Sequence, residues 1–185
     1  MRLLRRTGEI ITPRRYALGM FVRAATLAVG ALVCAALPVA TAQAKFGPDR
    51  LLWATVNVCD TAAHPDTIGI RASMPGTSGG KEVMFMRFQA QYFSSEDQKW
   101  HNVAGEGDSG FLEVGRADAR ARQKGRSIKI EPRTATVLLR GMVTFEWRSK
   151  GEVVRRSRRR THKGHRSKAG ADPANYSATN CTITK

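Results

Sequence analysis

Alternation of apolar and polar side chains with a period of two constrains this chain more than any other feature. From Ala135 onward, Val137, Leu139, Val143, Phe145 and Trp147 fall on one side of an extended backbone, and Arg140, Thr144, Glu146 and Arg148 on the other. Residues i and i+2 share a face only in a strand, so one side of this segment is built for a core and the other for solvent. Gly141 falls on the inward side, which predicts a bulge or a close backbone approach. A second strand is expected from about Glu82 to Phe93, where Met84, Met86, Phe88, Ala90 and Tyr92 alternate with Arg87, Gln89 and Gln91. Shorter candidates are Leu52 to Cys59, Thr67 to Ser73, Ser127 to Glu131 and Ser177 to Thr184. Turn chemistry separates them: Met74-Pro75-Gly76 with Thr77-Ser78-Gly79-Gly80, then Gly105 to Gly110, then Lys150-Gly151. In Arg116 to Arg126, charged residues alternate with Ala117, Ala119 and Ala121, which favours a half-buried strand over the helix that alanine prefers. Short strands at moderate spacing predict an all-β fold, an antiparallel sandwich or barrel, of which an immunoglobulin-like sandwich is the expected form.

The first 44 residues follow different rules. A secretory leader needs a positive start, an apolar stretch of about 7 to 15 residues and small residues before the cut. Arg2, Arg5, Arg6, Arg14, Arg15 and Arg23 supply the charge, Ala24 to Leu37 the apolar run, and Ala42-Gln43-Ala44 the cleavage site. Cleavage after Ala44 would leave a single domain, residues 45 to 185, secreted or held at the cell surface. Met20 begins a tidier leader and is an alternative start. Arg14-Arg15 with Tyr16 and Leu18 partly matches a twin-arginine export signal, so the route stays open. The apolar run is shorter than the roughly 20 residues of a spanning helix, and no transmembrane segment is expected in the mature chain. Val33 and the apolar sequence past Cys34 argue against lipid attachment.

Without the leader two cysteines remain, Cys59 and Cys181, in a chain bound for an oxidising compartment. A disulfide between them is expected. It would close a long span, contributing up to about 4 to 5 kcal/mol, and would tie the first strand to the last. That arrangement resembles an immunoglobulin-like or fibronectin-type sandwich closed by a terminal staple. Trp100, in a polar stretch, and Trp147, late in the chain, do not reproduce the core tryptophan of antibody domains.

At the level of sequence, Val56-Asn57-Val58-Cys59-Asp60, Gly69 through Gly76, Phe145-Glu146-Trp147-Arg148, and Gly170-Ala171-Asp172-Pro173 with Tyr176-Ser177 and Cys181 carry a resemblance. The chain is similar over Leu51 to Ile183 to short exported proteins of high-GC Gram-positive bacteria that have no assigned activity. The resemblance implies no catalytic residue and no ligand.

Catalytic motifs fail on inspection. Gly107-Asp108-Ser109-Gly110 looks like the nucleophile motif of trypsin-like proteases, but Phe111 stands where that family has glycine. His64 and Asp66 have no evident relation to Ser109. A small secreted serine hydrolase is therefore a remote alternative, and no enzyme is expected. Gly105 to Gly110 spells G-x-G-x-x-G, yet two acids sit in the loop and strand-like sequence follows it. His162 and His165 are flanked by Arg160, Lys163, Arg166 and Lys168, which repel a dication, so neither a metal nor another cofactor is expected. His64 and His101 read as loop histidines without visible partners. The sequons at Asn175 and Asn180 are taken as chance.

One segment is unusual. The chain carries net +16; the leader holds six of the 31 Lys and Arg and one of the 15 Asp and Glu, leaving 25 against 14, or +11. Arg155, Arg156, Arg158, Arg159, Arg160, Lys163, Arg166 and Lys168 supply +8 of it, within a basic hairpin and loop spanning 151 to 175. Charge of this density attracts phosphate or carboxylate polymers, such as an anionic envelope polymer, through counterion release. It serves equally as edge protection for a strand from Val153 to Thr161, followed by a solvated loop. No aromatic residue occurs between Gly151 and Asn175, which argues against specific nucleic-acid recognition. The expected function is a non-enzymatic exported binding or envelope-associated module. The alternative is a structural or partner-binding β domain with no polyanion role.

Overall fold

Period-two patterning becomes strand wherever one face can be buried. The computed structural model describes residues 48–130 and 136–184. Among them are nine strands: β1 (Trp53–Thr61), β2 (His64–Pro75), β3 (Val83–Ser94), β4 (Lys99–Asn102), β5 (Asp108–Arg116), β6 (Ala121–Lys129), β7 (Val137–Ser149), β8 (Glu152–Arg160) and β9 (Asn180–Ile183). Every pairing between them is antiparallel. One sheet has the order β1-β2-β6; the second, six-stranded, runs β4-β3-β7-β8, with β5 also on β3 and β9 also on β7.

The inward side chains of both sheets meet in one core. Ala54, Val56, Ile68, Ile70, Ala72 and Met74 come from the first sheet, and Met84, Met86, Phe88, Leu139, Val143, Phe145 and Trp147 from the second. Trp147 is fully buried, and its indole N–H donates to the Pro75 carbonyl at 3.0 Å, so its one polar atom is satisfied. Cys59 on β1 and Cys181 on β9 are disulfide-bonded, Cα atoms 5.4 Å apart, joining the two sheets. The β7–β8 hairpin turns on Lys150 and Gly151, both at positive φ (51° and 87°), the two-residue geometry that matches strand twist.

Gly141 pairs with Ala90 in an uninterrupted register, so no bulge forms there. The reason for glycine is close approach, by side chains: a Cβ would lie 2.7 Å from Thr161 Cγ2 and 2.8 Å from Ile70 Cδ1.

Several expectations about boundaries need correction. Arg116 to Arg126 is not one strand: β5 ends at Arg116, residues 117–120 turn, and β6 starts at Ala121. Ala117 is buried in that turn, its N–H donating to the Glu82 carbonyl at 2.9 Å. The Gly105 to Gly110 turn is shorter than expected, because Asp108 already begins β5. β4 and β5 had no sequence signal, since neither presents a clean buried face. Ser127 to Glu131 is the end of the longer β6, and Glu131 and Ala135 lie outside the described residues. The last strand begins at Asn180, with Ala178 making a single bridge to Val56. The expected leader, residues 1 to 44, also lies outside the described residues. Among the described residues no helix is long and apolar enough to cross a membrane.

Candidate anion-binding surface

β8 lies at the end of its sheet and pairs only with β7. Residues directly opposite in an antiparallel pair share a face, and the register sorts the arginines into two rows. Arg155, Ser157 and Arg159 oppose Trp147, Phe145 and Val143 on the inward side; Arg156, Arg158 and Arg160 oppose Glu146, Thr144 and Met142 on the outward side.

The eight cations are therefore not equivalent. Arg155 stacks on Trp147, 4.4 Å from the ring centroid. Arg156 grips buried Glu146 with contacts of 2.7 and 2.5 Å, and Arg148 grips its other oxygen at 2.6 and 2.9 Å. Burial pushes the Glu146 carboxyl up, but the two guanidinium groups outweigh it and hold the carboxyl below its ordinary range. Arg148 in turn lies over Phe85 and Phe111. Arg158 and Arg160, by contrast, form no ion pair among the described residues. Arg140 joins them from β7: it stacks on Trp100 at 4.2 Å, donates to Gln91 at 2.9 Å, and is pulled below its ordinary value by burial and then by the charge of Arg160.

Past β8 the chain does not form a free loop. Thr161 is buried, its N–H donating to the Gly141 carbonyl at 2.9 Å and its hydroxyl to Thr179 at 2.6 Å. The chain then crosses onto the outward side of β1. His162 N–H donates to the Ala54 carbonyl at 2.8 Å, and the His165 ring stacks on Trp53, centroids 4.2 Å apart and planes within 5°. Asn57 donates to the Gly170 carbonyl, Thr55 and Ser177 share a hydroxyl contact of 2.7 Å, and Ala178 exchanges two 3.0 Å backbone bonds with Val56. This strap explains why Thr55 and Asn57, on the solvent side of β1 by alternation, are buried. The segment expected as a solvated loop is pinned along its length; Lys163, Arg166 and Lys168 project from it into solvent.

Between strap, β1 and the end of β8 opens a groove of about 500 Å³. Arg50, Arg159 and Arg160 bring charge to it, His162 adds an imidazole, and Leu52, Ala54 and the Trp53–His165 pair form an apolar side. Beside it lies Arg71 of β2, which faces Trp53 at 5.3 Å and donates to the His165 carbonyl. Its Nε is buried without a hydrogen-bond partner among the described residues, and burial lowers its pKa. Burial also pulls His165 below its ordinary value, helped by the charges of Arg71 and His162.

Other sequence candidates are engaged elsewhere. Ser109 Oγ accepts from the Phe88 N–H at 2.9 Å and donates to the Gly110 carbonyl at 2.7 Å, while Asp108 is bound to Arg87. His101 is not a loop residue: it sits on β4 with Asp97 at 2.8 Å, a partner four residues back that turn geometry brings round. His64 opens β2. Among the described residues no three His, Cys, Asp or Glu side chains converge as metal ligands. The fold also supplies what the basic segment lacks in sequence, since Trp53 and Trp147 stack against its residues. Arg50, Arg71, Arg140 and Trp53 went unrecognised as members of the site. Alternation put Arg140 on a solvent face, but no local signal brings strands so distant in sequence together.

The chain matches no protein-family model, no curated protein and no solved structure. The surface has to be understood from its own chemistry.

Proposed function

We propose that this protein is an exported, non-enzymatic binding module that holds an anionic polymer of the cell envelope on an arginine-lined surface. The observation that carries the reading is a row of cations on the outward side of the second sheet: Arg140 of β7 lies near enough to Arg160 to feel its charge, Arg158 shares their face, and none of the three has an ion pair among the described residues. A polyanion neutralises such a surface and releases counterions. Export is supported by the basic, apolar and Ala-x-Ala pattern of the leader. The architecture is inferred to be immunoglobulin-like, supported by strand order: β1-β2-β6 corresponds to strands A, B and E, and β3-β7-β8 to C, F and G. The disulfide departs from that plan, joining the first strand to an added last one.

The test is retention on isolated envelopes and on a purified anionic matrix, at rising salt, of wild type beside a variant with Arg158, Arg160, Lys163, Arg166 and Lys168 changed to Gln. Wild type should elute steeply with salt, and each cation lost from a phosphate contact should flatten the log–log slope by roughly 0.7 to 0.9. Equal behaviour of the two proteins overturns the reading. It would favour a partner-binding domain instead, for which Val153 and Val154, 42 and 56 % exposed on an edge strand, are the supporting observation.

A further inference from the structure

We infer that Arg71, Trp53 and His165, with the adjoining groove, form a binding subsite for a phosphate ester. The inference rests on the polyanion reading above and names the group that would be gripped most closely.

A guanidinium nitrogen withdrawn from water is costly unless an acceptor meets it. Arg71 has one acceptor among the described residues, the His165 carbonyl, and a buried Nε that has none. A buried donor left in this state in a folded protein points to an ion or water that completes it, or to strain. Strain is a poor account here, because the side chain is fixed at two points: its Cζ lies 5.3 Å from the Trp53 ring centroid and the strap carbonyl holds one nitrogen. His165 packs beside it from the strap, and Arg160 brings positive charge to the adjoining groove from β8. Among the described residues no carboxylate lines the groove.

The chemistry favours phosphate over carboxylate. A carboxylate presents two oxygens in one plane, whereas a phosphate accepts from forks and imidazoles converging along several directions. Here the donors come from β2, β8 and the strap. Leu52 and Ala54, buried along the groove wall, leave an apolar surface against which the organic part of an ester can lie. The strap is already pinned by the Thr55–Ser177, Asn57–Gly170 and Val56–Ala178 contacts, so little ordering remains to be done on binding.

The experiment follows the Trp53 indole N–H and the His165 ring by NMR in the whole protein while inorganic phosphate, glycerol 3-phosphate or phosphatidylglycerol vesicles are added at constant ionic strength, with chloride as the reference. Saturable shifts with a phosphate probe and none with chloride are expected. Arg71→Gln and Arg160→Gln should each weaken binding at least about tenfold, the consequence of losing a hydrogen bond to a charged group. Arg122→Gln, which removes the same charge from an arginine bound to Asp118, should leave it unchanged. Arg160 is exposed, so its variant decides the matter even where Arg71→Gln fails to fold. Response to vesicles alone assigns the ester to a lipid headgroup; response to the soluble ester assigns it to a polymer or free ester. Shifts that do not saturate, that chloride reproduces, or that Arg122→Gln weakens as much as Arg160→Gln overturn the inference. Salt-steep envelope retention without saturable phosphate binding would leave the polymer reading standing and remove only the subsite. Saturable phosphate binding with unchanged retention would do the reverse.

Discussion

Gly141→Ala is the smallest change that should disturb both core and site. Gly141 is buried in mid-β7, with regular pairing to Ala90 and no left-handed φ. Backbone preference alone would reward alanine by about 0.4 to 1 kcal/mol. Against this, the new methyl would lie 2.7 Å from Thr161 Cγ2 and 2.8 and 2.9 Å from Ile70 Cδ1 and Cγ1. Carbon contacts are comfortable at about 3.5 to 4.0 Å, so roughly 1 Å has to be found in two directions within a packed core. Overpacking by one methyl typically costs about 1 to 3 kcal/mol, and the net expectation is a loss of about 1 to 2 kcal/mol. Urea denaturation measures it, and a double-mutant cycle assigns it. Thr161→Ser deletes the offending Cγ2 while keeping the hydroxyl that accepts from the Gly141 N–H and donates to Thr179. In the alanine background it should recover at least about 0.5 kcal/mol. Because Thr161 begins the strap, amide shifts at His162 should accompany the loss. An alanine variant as stable as wild type, or one that neither Thr161→Ser nor Ile70→Val rescues, would refute the packing argument.

Glu146→Gln keeps the shape of the buried group and removes its charge. With Arg148 and Arg156 side chains 26 and 59 % exposed, solvent screens part of the loss, and a destabilisation of about 1 to 3 kcal/mol is expected by denaturant titration. The same change releases Arg156, so the variant should need more salt to leave an anionic matrix; unchanged elution would contradict the role given to that pair. Acidification should also destabilise the protein through His165. Its folded pKa lies below the ordinary 6.5, because of burial and then Arg71 and His162, so below about pH 6.5 the unfolded chain binds more protons and stability falls toward the lower folded value. Urea midpoints between about pH 7.5 and 5.5 should slope less in His165→Gln than in wild type, and parallel slopes would exclude His165 as the cause.

What could be seen in the sequence follows from where burial contrast exists. β3 and β7 each bury one face and pair with one another through ten positions, so their alternation is sharp. β5 and β6 are half-exposed along much of both faces; glycines at 110 and 115 hold left-handed φ values within β5, where no periodicity survives, while the alternation over Arg116 to Arg126 marked only part of β6. The disulfide was legible because only two cysteines, Cys59 and Cys181, lie outside the expected leader. The basic segment was legible as charge, but not as a site. Whether Arg156 is free depends on its register opposite Glu146, and whether Arg71 belongs to the groove depends on a strap that approaches from 94 residues away. Pairings of that range are set by the packed sheets as a whole and leave no trace in a local window.

The covalent link between Cys59 and Cys181 has a mechanical consequence. Tension entering the chain before Cys59 and leaving after Cys181 passes directly across the bridge, bypassing a sequence separation of 122. β2 through β8 and the strap hang from that shortcut as a closed ring and bear no load, whereas Arg50, Leu52, Trp53 and Ala54 of the groove precede Cys59 and lie on the loaded segment. With its ends pulled, the chain would keep the β8 arginines and the strap unstretched, and in a force-extension measurement only reduction of the bridge would make that hidden length appear.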